Sequence, residues 1–208
     1  MKAMHDEGSE PKWVNWSRQL MAIAQNAFAN TSSSIMIAKV QGNIVDTLMP
    51  PFTPSELVFG IAMGGVTRGI FVGLAVTVAM SIVVGFQITN IGLIMYHAFA
   101  ASLMLALLGI IAGIWAEKFD HMAAVTNFVI TPLAFLSGTF YSIERLPEFG
   151  QTLAHVNPFF YMIDGFRSGF IGHSDITPWV GITVMAAVDI VLWLVCTRMF
   201  KTGYKLKP

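Results

Sequence analysis

The chain has 208 residues, of which 55% are hydrophobic and only 12% charged, and its formal net charge is +0. A soluble domain carries about 25% charged residues, so this chain lacks the polar surface to dissolve, and its neutral balance argues against a nucleic-acid partner. One cysteine, Cys196, makes no internal disulfide and has no partner for a metal site.

Residues 1–18 are polar, mixed in charge and form no signal peptide. Crossing ~30 Å of hydrocarbon takes about 20 helical residues. Residues 19–40 have that length but carry Gln25, Asn26, Asn30 and a Thr-Ser-Ser-Ser tract. A helix is expected there that inserts poorly by itself, because each bare polar group in lipid is costly.

The connector 41–53 has its own logic. Gly42 ends the preceding helix, and Pro50 and Pro51 stop whatever follows. Between them Ile44, Val45, Leu48 and Met49, with Asp46 among them, fall at spacings that make one apolar face of a two-turn helix. So short a helix is unstable alone; its face packs either on its own bundle or into a groove on a partner.

Thr53, Pro54 and Glu56 form a capping box that opens a helix over 54–86. Arg68 falls where it snorkels to the headgroups. Gly60, Gly64, Gly65, Gly69 and Gly73, then Gly109 and Gly113, have small-xxx-small spacing. They are either helix seams or ordinary transmembrane composition. The span 91–115 carries only His97, which is either a functional group or a hydrogen-bonded packing residue. The span 122–141 is interrupted by Asn127 and Pro132, and the span 178–200 holds Asp189 midway. Asp189 either lines a solute path, pairs across an interface or sits protonated. The expected fold is all-α: a membrane bundle of about five helices.

Residues 147–156 and 158–170 read as two short amphipathic helices, each started by proline, lying along or dipping into the outer headgroup layer. Asp164 and Arg167 pair on one helical face. With the C-terminus inside, the inner segments hold Lys39, Arg68, Lys118, Arg198, Lys201, Lys205 and Lys207, against Arg145 and Arg167 outside. The positive-inside rule selects that orientation. No phosphate-cradling G-x-x-x-x-G-K-[ST], G-x-S-x-G or H-E-x-x-H occurs, and no two histidines share ligand spacing. Neither a catalytic residue nor a metal ligand set is expected.

The stretch TPLAFLSGTFYSIERLPEFGQTLAHVNPFFYMIDGFRSGF (131–170) resembles the signature region of type-2 ATP-binding-cassette permeases, the membrane subunits of bacterial exporters. The shared features are Pro132 within a helix, the run Phe135 to Phe140, Leu146-Pro147, Asn157-Pro158, and Arg167 nine residues after that proline. Residues 26–60 resemble the family's second helix and cytoplasmic coupling loop, and 64–73 its third helix. About 19–205 is covered.

The resemblance implies a transmembrane domain over 19–208, working as a homodimer or permease pair in the lipid of a bacterial inner membrane, multi-pass, with a cytoplasmic C-terminus. It implies a separate cytoplasmic ATPase subunit that binds the ATP-Mg, with no cofactor on this chain. Ile44, Val45, Asp46, Leu48 and Met49 would contact that ATPase. Asn127, Phe135, Phe140, Phe159, Tyr161 and Asp189 would line the substrate path and outer gate, beside re-entrant helices at 147–170. The implied cargo is amphipathic: a drug, a lipid-linked saccharide or a polysaccharide. The family pattern begins with an interfacial helix and a first span that residues 1–18 are too polar to supply, so a fragment or late-started chain is expected. Two other readings are a membrane enzyme using His97, Asp189 or His155, and a non-transporting assembly protein.

Overall fold

The computed structural model describes residues 12–84, 88–137, 148–172 and 174–206, and among these the chain is helical with no strand. Helix α1 spans Lys12–Val40. It takes in the upstream residues Val14, Trp16 and Ser17, all buried, so the helix starts earlier than the hydrophobic run alone suggests. After α2 (Ile44–Leu48) comes α3 (Pro54–Val84). The capping box at its start is formed as the sequence implies: Thr53 N–H donates to Glu56 Oε2 at 2.7 Å, and Glu56 N–H donates to Thr53 Oγ1 at 3.3 Å. Helix α4 (Ile91–Trp115) is opened by Asn90, whose side chain accepts from Leu93 N–H.

Two glycine rows place α1 at the centre of the bundle. Gly65, Gly69 and Gly73 of α3 meet Thr31, Ala27 and Ile23, so these two helices run antiparallel. Gly109 and Gly113 of α4 meet Phe28 and Ile35, so α4 runs parallel to α1. The approach is backbone to backbone. A Cβ on Gly109 would stand 2.6 Å from the Phe28 carbonyl oxygen, and one on Gly69 would stand 2.8 Å from that of Ile23. By contrast Gly60 and Gly64 face open space. The small-residue spacing is therefore a true seam from Gly65 onward and not before it.

The polar residues of α1 are answered partly by its neighbours and partly by its own backbone. Thr31 Oγ1 donates to Ala106 O of α4 at 2.9 Å, and Gln19 Nε2 donates to Gly73 O of α3 at 3.1 Å and to the Thr77 hydroxyl. Ser33 and Ser34 donate back to Ala29 and Asn30 carbonyls of their own helix.

Helices α5 (Phe119–Val125) and α6 (Thr131–Phe135) are joined by a π-helical turn, Thr126–Ile130. Helix α7 spans Glu148–Val156, α8 Pro158–Ile171 and α9 Pro178–Thr202. Asn157 caps α8 by accepting from Phe159 N–H at 3.0 Å and donates to Leu133 O at 2.7 Å, which fastens α8 to α6. Trp16 of α1 stacks flat on Phe170 of α8, with ring centroids 4.0 Å apart. Among the described residues, three helices are long and apolar enough to cross a membrane: Pro54–Ala79, Ile91–Trp115 and Pro178–Thr202.

The seam makes a prediction. Gly109→Ile forces α1 and α4 apart and should cost about 1–3 kcal/mol, as overpacking does. Gly64→Ala, at an open position, should leave stability unchanged. Thermal unfolding of both variants in lipid nanodiscs checks this; equal melting temperatures would dismiss the seam.

Candidate functional site

A groove of about 440 Å³ runs between α1 and the α5 stretch. Gln25, Phe28, Ala29, Ser32 and Ser33 form one wall, residues that recur at three and four along α1 and so share a face. Phe119, Met122, Ala123, Thr126 and Ile130 form the other. The second wall bends where the helix widens. Pro132 has no N–H and its ring crowds the carbonyl four residues back, so the preceding turn shifts to π geometry. The Thr131 N–H bonds to Thr126 O, and Thr131 Oγ1 donates to that same oxygen at 2.9 Å.

The residues the resemblance assigns to the substrate path lie in different surroundings. Asn127 sits exposed on the π turn, and Phe135 is half exposed at the end of α6. Phe159 is buried in the core beside Met162 and Ile163. Tyr161 donates its hydroxyl to His155 O at 2.8 Å. Asp189 is buried on α9, with one carboxyl oxygen lacking a hydrogen-bond partner. Phe140 lies outside the described residues. The groove itself is lined instead by Gln25, Ser32, Ser33 and Thr126, polar residues that the sequence displays as a drawback of α1 and as an unremarked threonine before Asn127.

At the α7–α8 end, Asp164 is 1% exposed and fully occupied. It accepts from Arg167 at 2.8 Å, from Ser174 Oγ at 2.5 Å and from Asp175 N–H at 3.0 Å, while Arg167 also reaches Asp175 at 2.7 Å. The pair expected on one helical face thus also ties the loop before α9 to α8. His97 packs against Gly165, where any Cβ would overlap its ring, and lies close to Gly181. Its Nδ1 bonds the Leu93 carbonyl at 2.9 Å. His155 is exposed on α7.

At the opposite end, α2 divides its apolar residues between two directions. Ile44 is buried and Leu48 packs with it against a cluster that includes Val58, Ile114, Phe200 and Leu206. Val45 and Met49 point away, 50% and 75% exposed, with Phe52 beside them at 58%; Asp46 is also exposed. Packing on the bundle is thus met by Ile44 and Leu48, while Val45 and Met49 are left exposed.

The same end is closed by two lysines. Lys39 Nζ donates to the carbonyls of Gly113, Ile114 and Ala116 at 3.4, 2.7 and 2.6 Å, satisfying the orphan end of α4. Lys205 donates to Trp115 O at 3.3 Å and to Glu117 at 2.9 Å. That hydrogen bond holds the Glu117 carboxyl below the usual carboxylate range. Among the described residues, no cluster of three or more metal-ligating side chains occurs.

The comparisons with known proteins bear on these features. Residues 19–171 match the family model for the ABC-2 type transporter. The chain is 36% identical over 188 residues to the inner membrane transport permease YadH of Escherichia coli K12, covering 90% of this chain and 73% of that protein. It is 24% identical over 136 residues to nodulation protein J of Neorhizobium galegae, covering 64% of this chain and 52% of that one. The Rhizobium leguminosarum bv. viciae nodulation protein J is 29% identical over 99 residues, covering 48% and 38%.

Lys39→Met should leave the carbonyls of Gly113, Ile114 and Ala116 without their charged donor and lower stability by about 2 kcal/mol. Chemical denaturation in nanodiscs reads this, with Lys201→Met as a control: Lys201 is exposed at the end of α9.

Proposed function

The chain belongs to the ABC-2 type transporter family, and from that premise we propose that it is the membrane subunit of an exporter driven by a separate cytoplasmic ATPase. The family is one of transport permeases and not of enzymes, which removes the reading of His97, Asp189 and His155 as catalytic groups. The proposed cargo is amphipathic and the proposed site of action is the bacterial inner membrane. The inner-end basic residues Lys39, Lys118, Arg198, Lys201 and Lys205 support a cytoplasmic C-terminus, whereas Arg68 lies midway along the span Pro54–Ala79 and donates to Asn30 Oδ1 at 3.1 Å.

The observation that carries this reading is the divided face of α2. A short helix gripped by its own bundle through Ile44 and Leu48, with Val45 and, just beyond its end, Met49 and Phe52 exposed, has the form of a coupling element. Its outward residues fit a hydrophobic groove on a partner in the helix-in-groove manner. ATP-Mg belongs to that partner, since the sequence contains no phosphate-cradling loop. Closure of the ATPase pair pushes α2, and α2 moves the bundle between two states in which the groove beside α1 opens to one face or the other.

The decisive variant is Met49→Asp, which places a charge in the proposed interface while leaving the Ile44 anchor intact. Membrane levels should be normal and retention of the ATPase on the purified permease should fall by at least tenfold, the effect of about 1.4 kcal/mol. Leu48→Asp should instead lower membrane levels, because Leu48 packs on the bundle. Full ATPase retention by Met49→Asp would remove α2 from the interface.

Orientation has its own test in a Cys196→Ser background. Cysteines replacing Ile171 and Lys205 are to be probed with an impermeant thiol reagent on right-side-out spheroplasts. Position 171 should label at once and position 205 only after permeabilisation; the reverse order would invert the assignment.

A further inference from the structure

Arg68 is exposed midway along the span Pro54–Ala79. Its neighbour Gly69 faces α4, where a Cβ would stand 3.3 Å from the Ser102 hydroxyl. Ser102 lies near the middle of Ile91–Trp115, roughly 17 and 20 Å from the two ends at about 1.5 Å per residue. Both helices thus put the arginine at mid-height, farther from either headgroup layer than its side chain extends, and the snorkelling expected of it does not reach water. Arg68 Nη1 donates to Asn30 Oδ1 of α1 at 3.1 Å, and Arg68 has no other hydrogen bond or ion pair among the described residues. A guanidinium only donates, so Asn30 turns its carbonyl oxygen toward it and its amide NH2 away. That NH2 also has no partner among the described residues. The pair presents N–H donors and a positive charge.

A charge at this depth is costly unless an anion or water meets it. The heads of the surrounding lipids stay at the two interfaces and do not reach it. A second copy of the chain offers little: among the described residues the acid midway along a span is Asp189, buried on α9. The guanidinium fork matches two oxygens of a phosphate, sulfate or carboxylate, and the Asn30 NH2 stands beside it. Gly64, one turn before Arg68, faces open space, which leaves room for a head group. Phe71, three residues beyond Arg68 and 68% exposed, supplies apolar surface for a chain. We propose that Arg68 and Asn30 form an anion site at mid-membrane depth that holds the acidic head of an amphiphile in transit, an inference that rests on the transport reading.

The test uses the full chain in lipid nanodiscs and three photoreactive amphiphiles with a decyl chain and a diazirine beside the head. The heads are sulfate, trimethylammonium and glucoside, and mass spectrometry maps the crosslinks. The sulfate probe should mark residues 26–34 and 64–71 about fivefold more than the other two. Arg68→Gln should remove that preference. Asn30→Asp, which gives the guanidinium its own counter-ion and so spares the fold, should remove it as well. Arg68→Lys keeps the charge without the fork and should retain part of it. Equal marking by the cationic or neutral probe, or an unchanged sulfate preference in Asn30→Asp, would overturn the proposal. Competition by inorganic sulfate alone would overturn the amphiphile as occupant. A disulfide between two copies carrying Gly64→Cys in a Cys196→Ser background would show a second copy on this face and overturn it too. ATPase retention is read on the same discs, so a chain that keeps its ATPase without selective crosslinking loses this inference and not the transport assignment.

Discussion

A helix bearing Gln19, Thr31 and Ser32 on its buried side stays inside a membrane bundle only when protein groups, not lipid, meet those polar atoms. Here that requirement and the glycine rows are one arrangement. The rows on α3 and α4 bring the backbones close enough for Thr31 to reach the Ala106 carbonyl and for Gln19 to reach that of Gly73. Without the close approach the hydrogen bonds do not form; without the hydrogen bonds α1 has no reason to prefer this groove to lipid. The other packing follows from α1 being held there. Trp16 receives Phe170 and so positions α8, and Lys39 at the far end reaches the terminal carbonyls of α4.

Against that block, the α5–α6 stretch is held lightly. Among its residues only Ile130 and Ala134 are buried, four apart on one face, while Phe128 is 81% exposed. Its π turn and Pro132 already interrupt the regular helical ladder, so bending there breaks fewer hydrogen bonds than bending elsewhere. The groove therefore has one wall that is fixed by backbone seams and another that is anchored by Ile130, Ala134 and the Asn157–Leu133 hydrogen bond and interrupted by a π turn. Such a pairing suits a passage that must change width, since motion is drawn from the less stable segments.

Much of the helical layout was legible because its signals are local. The Thr53–Glu56 box, the prolines starting α8 and α9 and the uncharged run of α4 each announce themselves within a few residues. What could not be read depends on partners far along the chain. Asp164 and Arg167 were visible as a pair at i and i+3, but nothing near them in sequence points to Ser174 and Asp175. Ile44, Val45, Leu48 and Met49 read as one face, yet two turns of helix lying on a bundle have an underside and a flank, and the division between them is set by Phe200 and Leu206. The groove was hidden for a related reason. Gln25, Ser32 and Ser33 look like defects in a span until a second helix stands opposite them.

The connectivity of α2 explains how a push on so small a helix would reach the groove. It is the link between the last residue of α1 and the capping box of α3, the two helices joined by the Gly65–Gly69–Gly73 seam. A displacement of α2 cannot draw one of them along its axis without shearing backbone contacts at those glycines, so α1 and α3 move together. Lys39 carries the same displacement to α4 through three hydrogen bonds. The α5 stretch joins α4 through the short turn after Trp115 and lacks any comparable seam among the described residues. Among the described residues the α1–α3–α4 block is thus tied together more closely than it is to α5, and the boundary between those two parts is the groove wall formed by Gln25, Ser32 and Ser33.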